Sequence, residues 1–316
     1  MDLNDIVKPQ DRALNEIATI YYNEHSVQKQ PYISERSFGL KDAGTILTNL
    51  GKLLKLMLSL KQTIKLIKHN STGIKRILND TDFFKLQGLL ETFNVSSYGF
   101  IKIQPDRVFR EKGVPYKYAL VVIIPMDKSE FKKAPHIDTQ MEVMRVYGDV
   151  GVAVNKITEL LRSRGYNATP NHPMGGSIDY CVAGMEAGLG YIGRHGMLIT
   201  PEDGACHRSG VVYTDIENLA EFIPAESDHS WITNFCAQCG NCIRNCPTDA
   251  ILQNAMKDKS GHVTSIDYER CAAGFKEYGC GICIKECPFT KTGYEKIYYN
   301  YVNKTTKRQS SRRLTD

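Results

Sequence analysis

The sequence lacks a long uninterrupted apolar run, and this absence argues against a membrane-spanning helix. Its most apolar stretch, residues 46–67, is interrupted by four lysines, whereas a spanning helix needs about 20 predominantly apolar residues. The N-terminal residues MDLNDIVKPQ contain neither the apolar core of a signal peptide nor a twin arginine. We therefore expect a protein of the reducing cytoplasm.

The lysines and leucines of residues 46–67 leave two interpretations open. An amphipathic helix of this composition suits a membrane surface. A helix that packs on the rest of the domain and turns a basic face outward is the more common arrangement. The packed helix is the interpretation that we expect.

The sequence also lacks a strong excess of charge of either sign. Lysine and arginine together number 40, and aspartate and glutamate number 35. Much of this small basic excess lies near the C-terminus, where a weakly basic end is typically solvated, so nucleic-acid binding is not favoured. No G-x-x-x-x-G-K-S/T loop is present, so the sequence gives no support for nucleotide hydrolysis.

The apolar pattern divides the chain into a helical beginning and a mixed middle. Residues 1–93 are predicted to be mainly helical, and no chemically active motif lies in them. Residues 118–125 (YALVVIIP) are apolar enough for a strand buried on both faces, and residues 139–164 are predicted to form a long helix that ends at Gly165. Further short strands are predicted at 99–104, 166–169 and 211–214. The alternation predicts an α+β or α/β layered fold.

Eight of the ten cysteines fall between residues 236 and 287, at spacings typical of metal ligands rather than disulfides. The first four follow the C-x2-C-x2-C-x3-C-P pattern of bacterial ferredoxins. The second run repeats C-x2-C-x3-C-P and is preceded, after a gap of eight residues, by Cys271, which is the least secure ligand. The predicted metal ligands are Cys236, Cys239, Cys242, Cys246, Cys271, Cys280, Cys283 and Cys287.

The spacing also predicts which cysteines share a cluster. Two-residue gaps let a short loop wrap three thiolates around one face of a 4Fe–4S cluster, while the fourth cysteine reaches the other cluster. Zinc sites also use C-x2-C pairs, but they do not explain a third cysteine and a fourth followed by proline. We therefore expect two 4Fe–4S clusters that pass single electrons at low potential. One cluster is assigned to Cys236, Cys239, Cys242 and Cys287, and the other to Cys271, Cys280, Cys283 and Cys246.

The second dense motif is the glycine-rich segment 187–204. Its many glycines predict tight turns with positive φ, or a backbone pressed against something flat or large. The first part has the G-x-G-x-x-G form of a dinucleotide site, but residues 179–187 are predicted to be a helix or turn rather than the strand that such a site requires. Nicotinamide or flavin binding is therefore not favoured.

This segment, AGLGYIGRHGMLITPEDG, is followed by VVYTD at 211–215 and by the two cysteine runs, and in this order the motifs resemble the reductive dehalogenases and, more distantly, the epoxyqueuosine reductases. The resemblance extends back to 121–126 and 165–170, covers roughly residues 94–290 and leaves out the N-terminal region. It implies a nitroreductase-like α+β core that binds cobalamin, beside a bacterial-ferredoxin-like module. The implied cobalamin is base-off, in keeping with the absence of the D-x-H-x-x-G motif that supplies a cobalt-ligating histidine.

The resemblance implies a division of the chain and a set of cofactor contacts. The parts are a helical N-terminal region at 1–93, a corrinoid-binding α+β core at 94–225, a ferredoxin-like domain with two 4Fe–4S clusters at 226–292 and a basic C-terminal tail at 293–316. The glycine-rich segment would supply the contacts to cobalamin. The implied cofactor-binding residues are Gly188, Leu189, Gly190, Gly193, Gly196, Leu198 and Thr200.

The resemblance also implies a tyrosine that gives a proton to the substrate, helped by a cation and an amide. The tyrosine that matches is Tyr147, the amide is Asn171 and the cation is Arg194. An arginine beside the tyrosine would stabilise the phenolate that proton donation leaves. Alternatively, Tyr147 is a half-buried helix residue with a hydrated hydroxyl group, and Arg194 holds an amide or phosphate of cobalamin.

Other polar residues receive smaller roles. Asp179 is a rival proton donor, because epoxyqueuosine reductases use a carboxylate before the glycine motif, although its spacing to the motif is shorter here. Cys181 and Cys206 lack cluster spacing and are expected to be small core residues, with Cys181 placed to approach the substrate. His172 and His195 are expected to be ordinary polar loop residues.

These observations predict a cytoplasmic, oxygen-sensitive, cobalamin-dependent iron–sulfur reductase. Electrons from a ferredoxin or flavodoxin would pass through the two clusters to cobalt, for reductive cleavage of a carbon–halogen or carbon–oxygen bond in a small molecule. A tRNA epoxyqueuosine reductase is the alternative enzyme, and tRNA is not favoured because the chain offers it only a short basic tail. A non-catalytic, ferredoxin-type electron carrier is the alternative outside enzymes.

Overall fold

The computed structural model describes residues 3–29, 42–70, 72–225, 228–257, 263–278 and 280–313. Helices and strands alternate along these residues, as the sequence predicts. The helices are α1 (Leu3–Glu16), α2 (Ala43–Thr48), α3 (Leu50–Lys68), α4 (Asp80–Thr92), α5 (Lys128–Phe131), α6 (Ile137–Ser163), α7 (Tyr180–Glu186), α8 (Trp231–Cys239), α9 (Asn241–Arg244), α10 (Tyr268–Tyr278), α11 (Ile282–Glu286), α12 (Pro288–Lys291) and α13 (Tyr294–Arg313), with 3₁₀ turns at Pro105–Arg107 and Glu217–Phe222. The strands are β1 (Ile20–Tyr21), β2 (Ser97–Lys102), β3 (Gly113–Val114), β4 (Tyr118–Pro125), β5 (Ala168–Asn171), β6 (Tyr191–Ile192), β7 (Leu198–Ile199), β8 (His207–Thr214), β9 (Ile251–Lys257) and β10 (Val263–Ile266).

A four-stranded antiparallel sheet in the order β2-β4-β8-β5 forms the centre of the fold. Strand β4 has neighbours on both sides, and its residues are buried up to Ile124, which confirms the prediction from its unbroken apolar run. Asn171, the last residue of β5, lies opposite Val211 of β8. Strand β5 thus pairs only with the second half of β8, whereas His207 and Arg208, at the beginning of β8, lie opposite Pro125 and Ile124 at the end of β4.

Helix α6 packs against this sheet and fills much of the core. It spans nearly the residues that the sequence predicts, and it ends before Gly165, whose φ is +86°. Val150 and Val154 of α6 lie against Gly210 of β8, where a Cβ atom would approach the Val150 side chain to 2.4 Å. The absence of a side chain at residue 210 therefore lets α6 come close to β8, and with it Tyr147, which lies one turn before Val150.

Helix α3 packs against α6, and its inner face buries Leu56, Leu60 and Ile67. The outer face carries exposed leucines toward its N-terminal end, whereas its lysines dominate toward the C-terminal end. The predicted basic outer face is therefore correct for only half of the helix. None of the described helices combines the length and apolar character that crossing a membrane requires.

The region predicted as a basic tail, 293–316, begins as a packed helix. Tyr294 and Ile297 of α13 are buried, and the Tyr294 hydroxyl group lies 2.6 Å from His229 Nδ1 and accepts a hydrogen bond from Trp231 Nε1. Tyr298 also packs against the Trp231 ring. The predicted basic tail therefore starts as a helix whose first turns are anchored by these aromatic side chains.

The cysteine-rich region shares its core with the rest of the protein. Ile284, Cys287 and Phe289 belong to the same buried cluster as Cys206 and the inner residues of β4. At Gly204 a Cβ atom would approach the Phe289 backbone to 2.6 Å, so the end of the glycine-rich segment lies directly against α12. The segment and the cysteine-rich region are therefore in direct contact.

Candidate functional site

The structure brings together Cys236, Cys239, Cys242 and Cys287, which come from α8, α9 and the start of α12. Burial raises the pKa of the Cys242 thiol to about 11, with contributions from the neighbouring Cys236 and Cys239. Burial also raises the pKa of Cys287 to about 12, and Cys236 and Cys242 act in the same direction. Mutual influence of this kind requires the four sulfur atoms to lie close together.

A second group joins Cys271 of α10 with Cys246, Cys280 and Cys283. Burial raises the pKa of Cys271 to about 11, with added contributions from Cys280 and Cys246. Burial raises the pKa of Cys283 far above its usual value, with contributions from Cys280, Cys271 and Cys242. The groups are the two that the spacing predicts, with Cys246 and Cys287 exchanged between the runs, and the influence of Cys242 on Cys283 places the groups side by side.

Both cysteine groups depend on a glycine in an unusual conformation. Gly240 between Cys239 and Cys242 has a φ of +61°, and Gly281 between Cys280 and Cys283 has a φ of +140°. Each glycine ends one segment and starts a short helix, α9 or α11. Because positive φ is strained for other residues, these glycines allow the sharp turn that aims both cysteines of each C-x2-C pair at one centre.

Backbone N–H groups point at the sulfur atoms. Ala250 N donates to Cys246 Sγ over 3.3 Å. Although burial alone raises the pKa of Cys246, the N–H groups of Thr248, Ala250 and Ile251 outweigh it and lower the pKa below its usual value. Such hydrogen bonds stabilise negative charge on sulfur, as cluster ligation requires. In the described part of the chain, no three His, Cys, Asp or Glu side chains are arranged to hold a single metal ion.

Tyr147 lies on α6 beside Arg208 of β8. The guanidinium carbon of Arg208 is 5.4 Å from the centre of the Tyr147 ring, within the range of a cation–π contact. The ring also packs against Val7 of α1 and Leu56 of α3, so the N-terminal region forms one wall of the site. The Tyr147 hydroxyl group makes no hydrogen bond to any described residue, which leaves it available to a bound molecule.

Arg194, the cation that the sequence predicts, lies beside the first cysteine group. Its backbone N–H donates to Cys236 and its carbonyl oxygen accepts from Ser265 Oγ over 2.9 Å. The cation that the structure places beside the Tyr147 ring is Arg208, and a role for Arg194 at the substrate stays a prediction. Sequence spacing missed Arg208 because the contact joins a helix to a strand 61 residues later, and only the pairing of β8 with β4 fixes where that side chain lies.

Asn171 is fully buried at the end of β5. Its Oδ1 accepts a 2.7 Å hydrogen bond from the Tyr213 hydroxyl group, whereas its Nδ2 is buried and has no partner among the residues that the structure describes. A buried amide with one free donor is unusual, because an unsatisfied donor costs about 1–3 kcal/mol. Asn171 is thus held rigidly by β8 and retains a donor for a further group.

Asp179, Cys181 and Tyr268 lie between the glycine-rich segment and the second cysteine group. Asp179 caps α7, where its carboxylate accepts from the N–H groups of Cys181 and Val182. Burial raises the pKa of Tyr268, and Asp179, Cys181 and Cys271 contribute to the shift. Tyr268 therefore lies close both to a cluster cysteine and to the residues near Arg208, a position that no motif indicated.

The two histidines expected in polar loops are buried instead. His172 is fully buried, and its Nδ1 accepts from Met174 N over 3.0 Å, so its Nε2–H donates to Ser59 Oγ over 3.0 Å. Burial lowers the pKa of His172 to about 3. The Ser59 hydroxyl group donates to the Leu56 carbonyl oxygen, so this serine–histidine pair is a structural link between α3 and β5 rather than an activated nucleophile.

His195 and His207 are neighbours close to the glycine-rich hairpin. His195 Nδ1 accepts from Met197 N, and its Nε2 is buried with no partner in the described part of the chain. His207 Nε2 donates to the Leu198 carbonyl oxygen, and its Nδ1 is likewise buried with no partner among the described residues. Burial lowers the pKa of each imidazole to about 4. Both side chains are therefore neutral at pH 7, and each retains one free ring nitrogen.

The glycines of segment 187–204 have a packing explanation within the protein. A Cβ atom at Gly190 would lie 2.0 Å from the Ile199 carbonyl oxygen, and one at Gly188 would meet Pro224 at 2.7 Å. Leu198 and Thr200 are fully buried. The first of the two predicted causes, tight turns and close self-packing, thus accounts for these positions. Contact of Gly188, Leu189, Gly190, Gly193, Gly196, Leu198 and Thr200 with a cofactor stays a prediction.

Comparisons with known proteins agree with the cysteine pattern. A family model described as a 4Fe-4S dicluster domain matches residues 235–291. The chain is 30 % identical over 213 residues to a tetrachloroethene reductive dehalogenase of Sulfurospirillum multivorans, and this alignment covers 60 % of this chain and 41 % of that protein. It is 30 % identical over 115 residues to an epoxyqueuosine reductase of Aliivibrio fischeri, and this alignment covers 34 % of this chain and 29 % of that protein. Its relatives are oxidoreductases.

The fold is similar to that of a solved reductive dehalogenase studied for B12-dependent dehalogenation. The TM-score is 0.61 at 17 % identity, and the match covers 91 % of this chain and 44 % of that chain. This coverage reaches into residues 1–93, so the similarity of fold extends further toward the N-terminus than the resemblance in sequence motifs, which begins near residue 94. The chain spans about two fifths of the length of the dehalogenase relative that it matches in sequence.

Proposed function

We propose that this chain is a cobalamin-dependent iron–sulfur reductase that cleaves carbon–halogen bonds. The observation that carries the proposal is the contact of Tyr147 with Arg208, together with Cys181 and Tyr268, which lie between Arg208 and the second cysteine group. A reductase needs a proton donor at the substrate and a path for electrons to the same place. The two requirements meet here.

The residues around this site fit an amide-rich cofactor such as a corrinoid. Buried polar groups normally have hydrogen-bond partners, yet several groups around the site have none. Amide side chains both donate and accept hydrogen bonds, so they would complement these atoms. The unpartnered buried atoms are Asn171 Nδ2, Ser177 Oγ, His195 Nε2, His207 Nδ1 and Arg208 Nε.

In this proposal each part of the chain has one task. Bound cobalamin would supply a cobalt centre that accepts single electrons and supports cleavage of the carbon–halogen bond. Tyr147 donates the proton to the substrate, and Arg208 stabilises the resulting phenolate. Asn171, fixed by Tyr213, orients the substrate through its free Nδ2. His172 does not ligate cobalt, because both of its ring nitrogens are already used.

The cysteines would hold the two 4Fe–4S clusters in the crossed arrangement, with Cys287 completing the first group and Cys246 the second. Cys242 of the first group lies close to Cys283 of the second, and this closeness supports electron transfer between the two clusters. The same proposal includes a ferredoxin or flavodoxin as the electron donor and a cytoplasmic location. It also includes the nitroreductase-like description of the core and the division of the chain into parts at residues 93, 225 and 292.

An epoxyqueuosine reductase is the second candidate, because the sequence relatives include that class. The alignment with the dehalogenase covers a larger share of this chain than the alignment with the epoxyqueuosine reductase. Asp179, the proton donor that this alternative would use, is already engaged as the N-cap of α7. The dehalogenase-like reaction is therefore the better supported one.

The test begins with anaerobic reconstitution of the full chain with iron, sulfide and cobalamin. We expect two clusters and one bound corrinoid by absorption and EPR spectroscopy, and turnover of tetrachloroethene or a halogenated phenol with a chemical reductant. Failure to bind corrinoid while both clusters are intact would leave the electron carrier as the function. Turnover of an epoxyqueuosine-containing tRNA stem loop, without turnover of halogenated compounds, would favour the second candidate.

A further inference from the structure

The outer face of α2 and α3 is the most apolar exposed surface of any described helix. Leu47, Leu50, Leu54 and Leu58 follow each other at intervals of three or four residues, so they form one row along the helix. They are 73, 57, 57 and 56 % exposed. Met57 beside the row is 41 % exposed. An apolar row of this length on a helix surface marks an interaction site rather than scattered surface leucines.

Exposed lysines continue this row of leucines toward the C-terminal end of α3. Lys61, Lys65 and Lys68 follow Leu58 at the same helical spacing and are exposed. No aspartate or glutamate occurs from Ala43 to Lys68, so nothing on these two helices neutralises the lysines. The outer face of α2 and α3 is therefore apolar in its N-terminal half and cationic in its C-terminal half.

A groove runs beside the leucine row, between α3 and α6. Its volume is about 470 Å³, and Leu54, Leu58 and Val152 contribute apolar lining. Lys55 and Lys156 lie along its rim, where Lys55 pairs with Asp149 and Lys156 with Glu159. The groove therefore widens the apolar surface beyond the single row.

The charge pattern decides between the possible occupants of this face. A second copy of the chain, paired through the same face, would bring the two lysine rows toward each other or leave them unpaired, because the helices carry no acid to match them. An anionic lipid surface offers both halves a suitable environment, with acyl chains for the leucines and headgroups for the lysines. Lysine stems can also lie along apolar surface while the ammonium groups reach the headgroups.

We propose that the Leu47–Lys68 face is a docking surface for an anionic lipid bilayer, on which α2 and α3 lie in the interface. The leucines enter the boundary between headgroups and acyl chains, and Lys61, Lys65 and Lys68 contact lipid phosphates. This surface role is independent of the reaction proposed above, because binding requires neither a substrate nor a cofactor.

The test is flotation of the full, cluster-reconstituted chain with vesicles, under anaerobic conditions. We expect binding to vesicles that contain phosphatidylglycerol, weak binding to pure phosphatidylcholine, and weaker binding to the anionic vesicles at high salt. The triple variant Leu50→Ser, Leu54→Ser, Leu58→Ser should bind at least about tenfold less well. Each of Lys61→Gln and Lys65→Gln should weaken binding about fivefold.

The matched control removes three exposed apolar side chains from another surface, in the variant Ile74→Ser, Ile77→Ser, Phe84→Ser. These residues are 90, 59 and 72 % exposed, and the control should bind as the unaltered chain does. Iron content and far-UV circular dichroism establish that every variant is folded.

Three results would overturn the proposal. The first is absence of binding to anionic vesicles by the unaltered chain. The second is equal loss of binding in the leucine variant and in the control. The third is a dimer in solution that the leucine variant converts to monomer, without vesicle binding, because the face would then be covered by a second copy.

Discussion

The cysteine-rich region and the Tyr147–Arg208 site differ in how their residues are gathered. The cluster cysteines lie within 52 consecutive positions, and two glycine turns bring them together locally. Tyr147 and Arg208 come from a helix and a strand that are far apart in the sequence, and only the packing of α6 on the central sheet makes them neighbours. The spacing of cysteines that are close in the sequence predicts how they are arranged locally. A site whose residues come from separate helices and strands depends instead on how those elements pack together.

The largest expected effect is that of replacing Tyr147, the proposed proton donor of the second region. Tyr147→Phe removes the phenol and should lower turnover of the halogenated substrate by about 10²–10⁴-fold, because general acid catalysis contributes that much. Cluster content and corrinoid binding should be unchanged. The matched control is Tyr98→Phe, a half-buried tyrosine of β2 whose hydroxyl group accepts from Gln87. Equal turnover in the two variants would remove Tyr147 from the reaction.

The next effect separates the two arginines. Arg208→Gln should lower turnover by about 10²-fold, the usual cost of removing one group that stabilises developing charge, and Arg208→Lys should restore part of it. Arg194→Gln should leave the chemical step nearly intact and instead change the reduction potential of the cluster that Cys236 would hold, since the substitution removes a positive charge near that sulfur while keeping the backbone N–H. If Arg194→Gln proved the more damaging in single-turnover kinetics, the original assignment of the cation would stand.

Buried histidines should make the folded state sensitive to acid. The pKa of His172 is about 3 in the folded chain, below the usual value near 6.5, so between these pH values only the unfolded chain binds the proton. Stability should therefore fall as the pH drops below about 6.5, by about 2 kcal/mol at pH 5 for each such histidine. His195 and His207 should contribute in the same sense.

The measurement is the midpoint of thermal unfolding between pH 7 and pH 5. His172→Gln keeps a donor and an acceptor and should reduce the pH dependence by about one proton. His25→Gln is the control, because that side chain is largely exposed. An identical pH dependence in the two variants would show that His172 is not protected from protonation by folding.

The smallest effect concerns Asp179. Asp179→Asn keeps an N-cap acceptor for α7 and should change neither turnover nor stability by much, whereas Asp179→Ala should cost about 1 kcal/mol of stability through loss of the cap. Turnover assays and denaturant unfolding distinguish the two variants. A large loss of turnover in Asp179→Asn would make this carboxylate the proton donor.

Much of the fold follows from the sequence, and the reasons are local. The apolar run 118–125 leaves no polar face, so a central strand is the only arrangement that buries it. The long helix ends where Gly165 takes a positive φ. The clustering of the cysteines follows from C-x2-C loops, which restrict where each sulfur atom lies.

The features that the sequence did not predict are tertiary. His172 appears polar in a loop, yet Ser59 and Met174 bury it and satisfy both ring nitrogens. Arg208 has no motif, and its role appears only when β8 is paired with β4. The glycines of 187–204 signal close approach, but the sequence does not say that the approaching group is the protein itself, as it is for Gly190 and Ile199.

The most direct test of the account is the iron content of two double variants after anaerobic reconstitution. If the ligands cross, Cys246→Ser with Cys280→Ser affects one cluster and leaves about half of the iron, whereas Cys246→Ser with Cys239→Ser affects both clusters and leaves little. Cys206→Ser, at a buried cysteine outside both groups, should keep all of the iron. The opposite order, with the first pair losing nearly all iron and the second keeping half, would contradict the crossed arrangement.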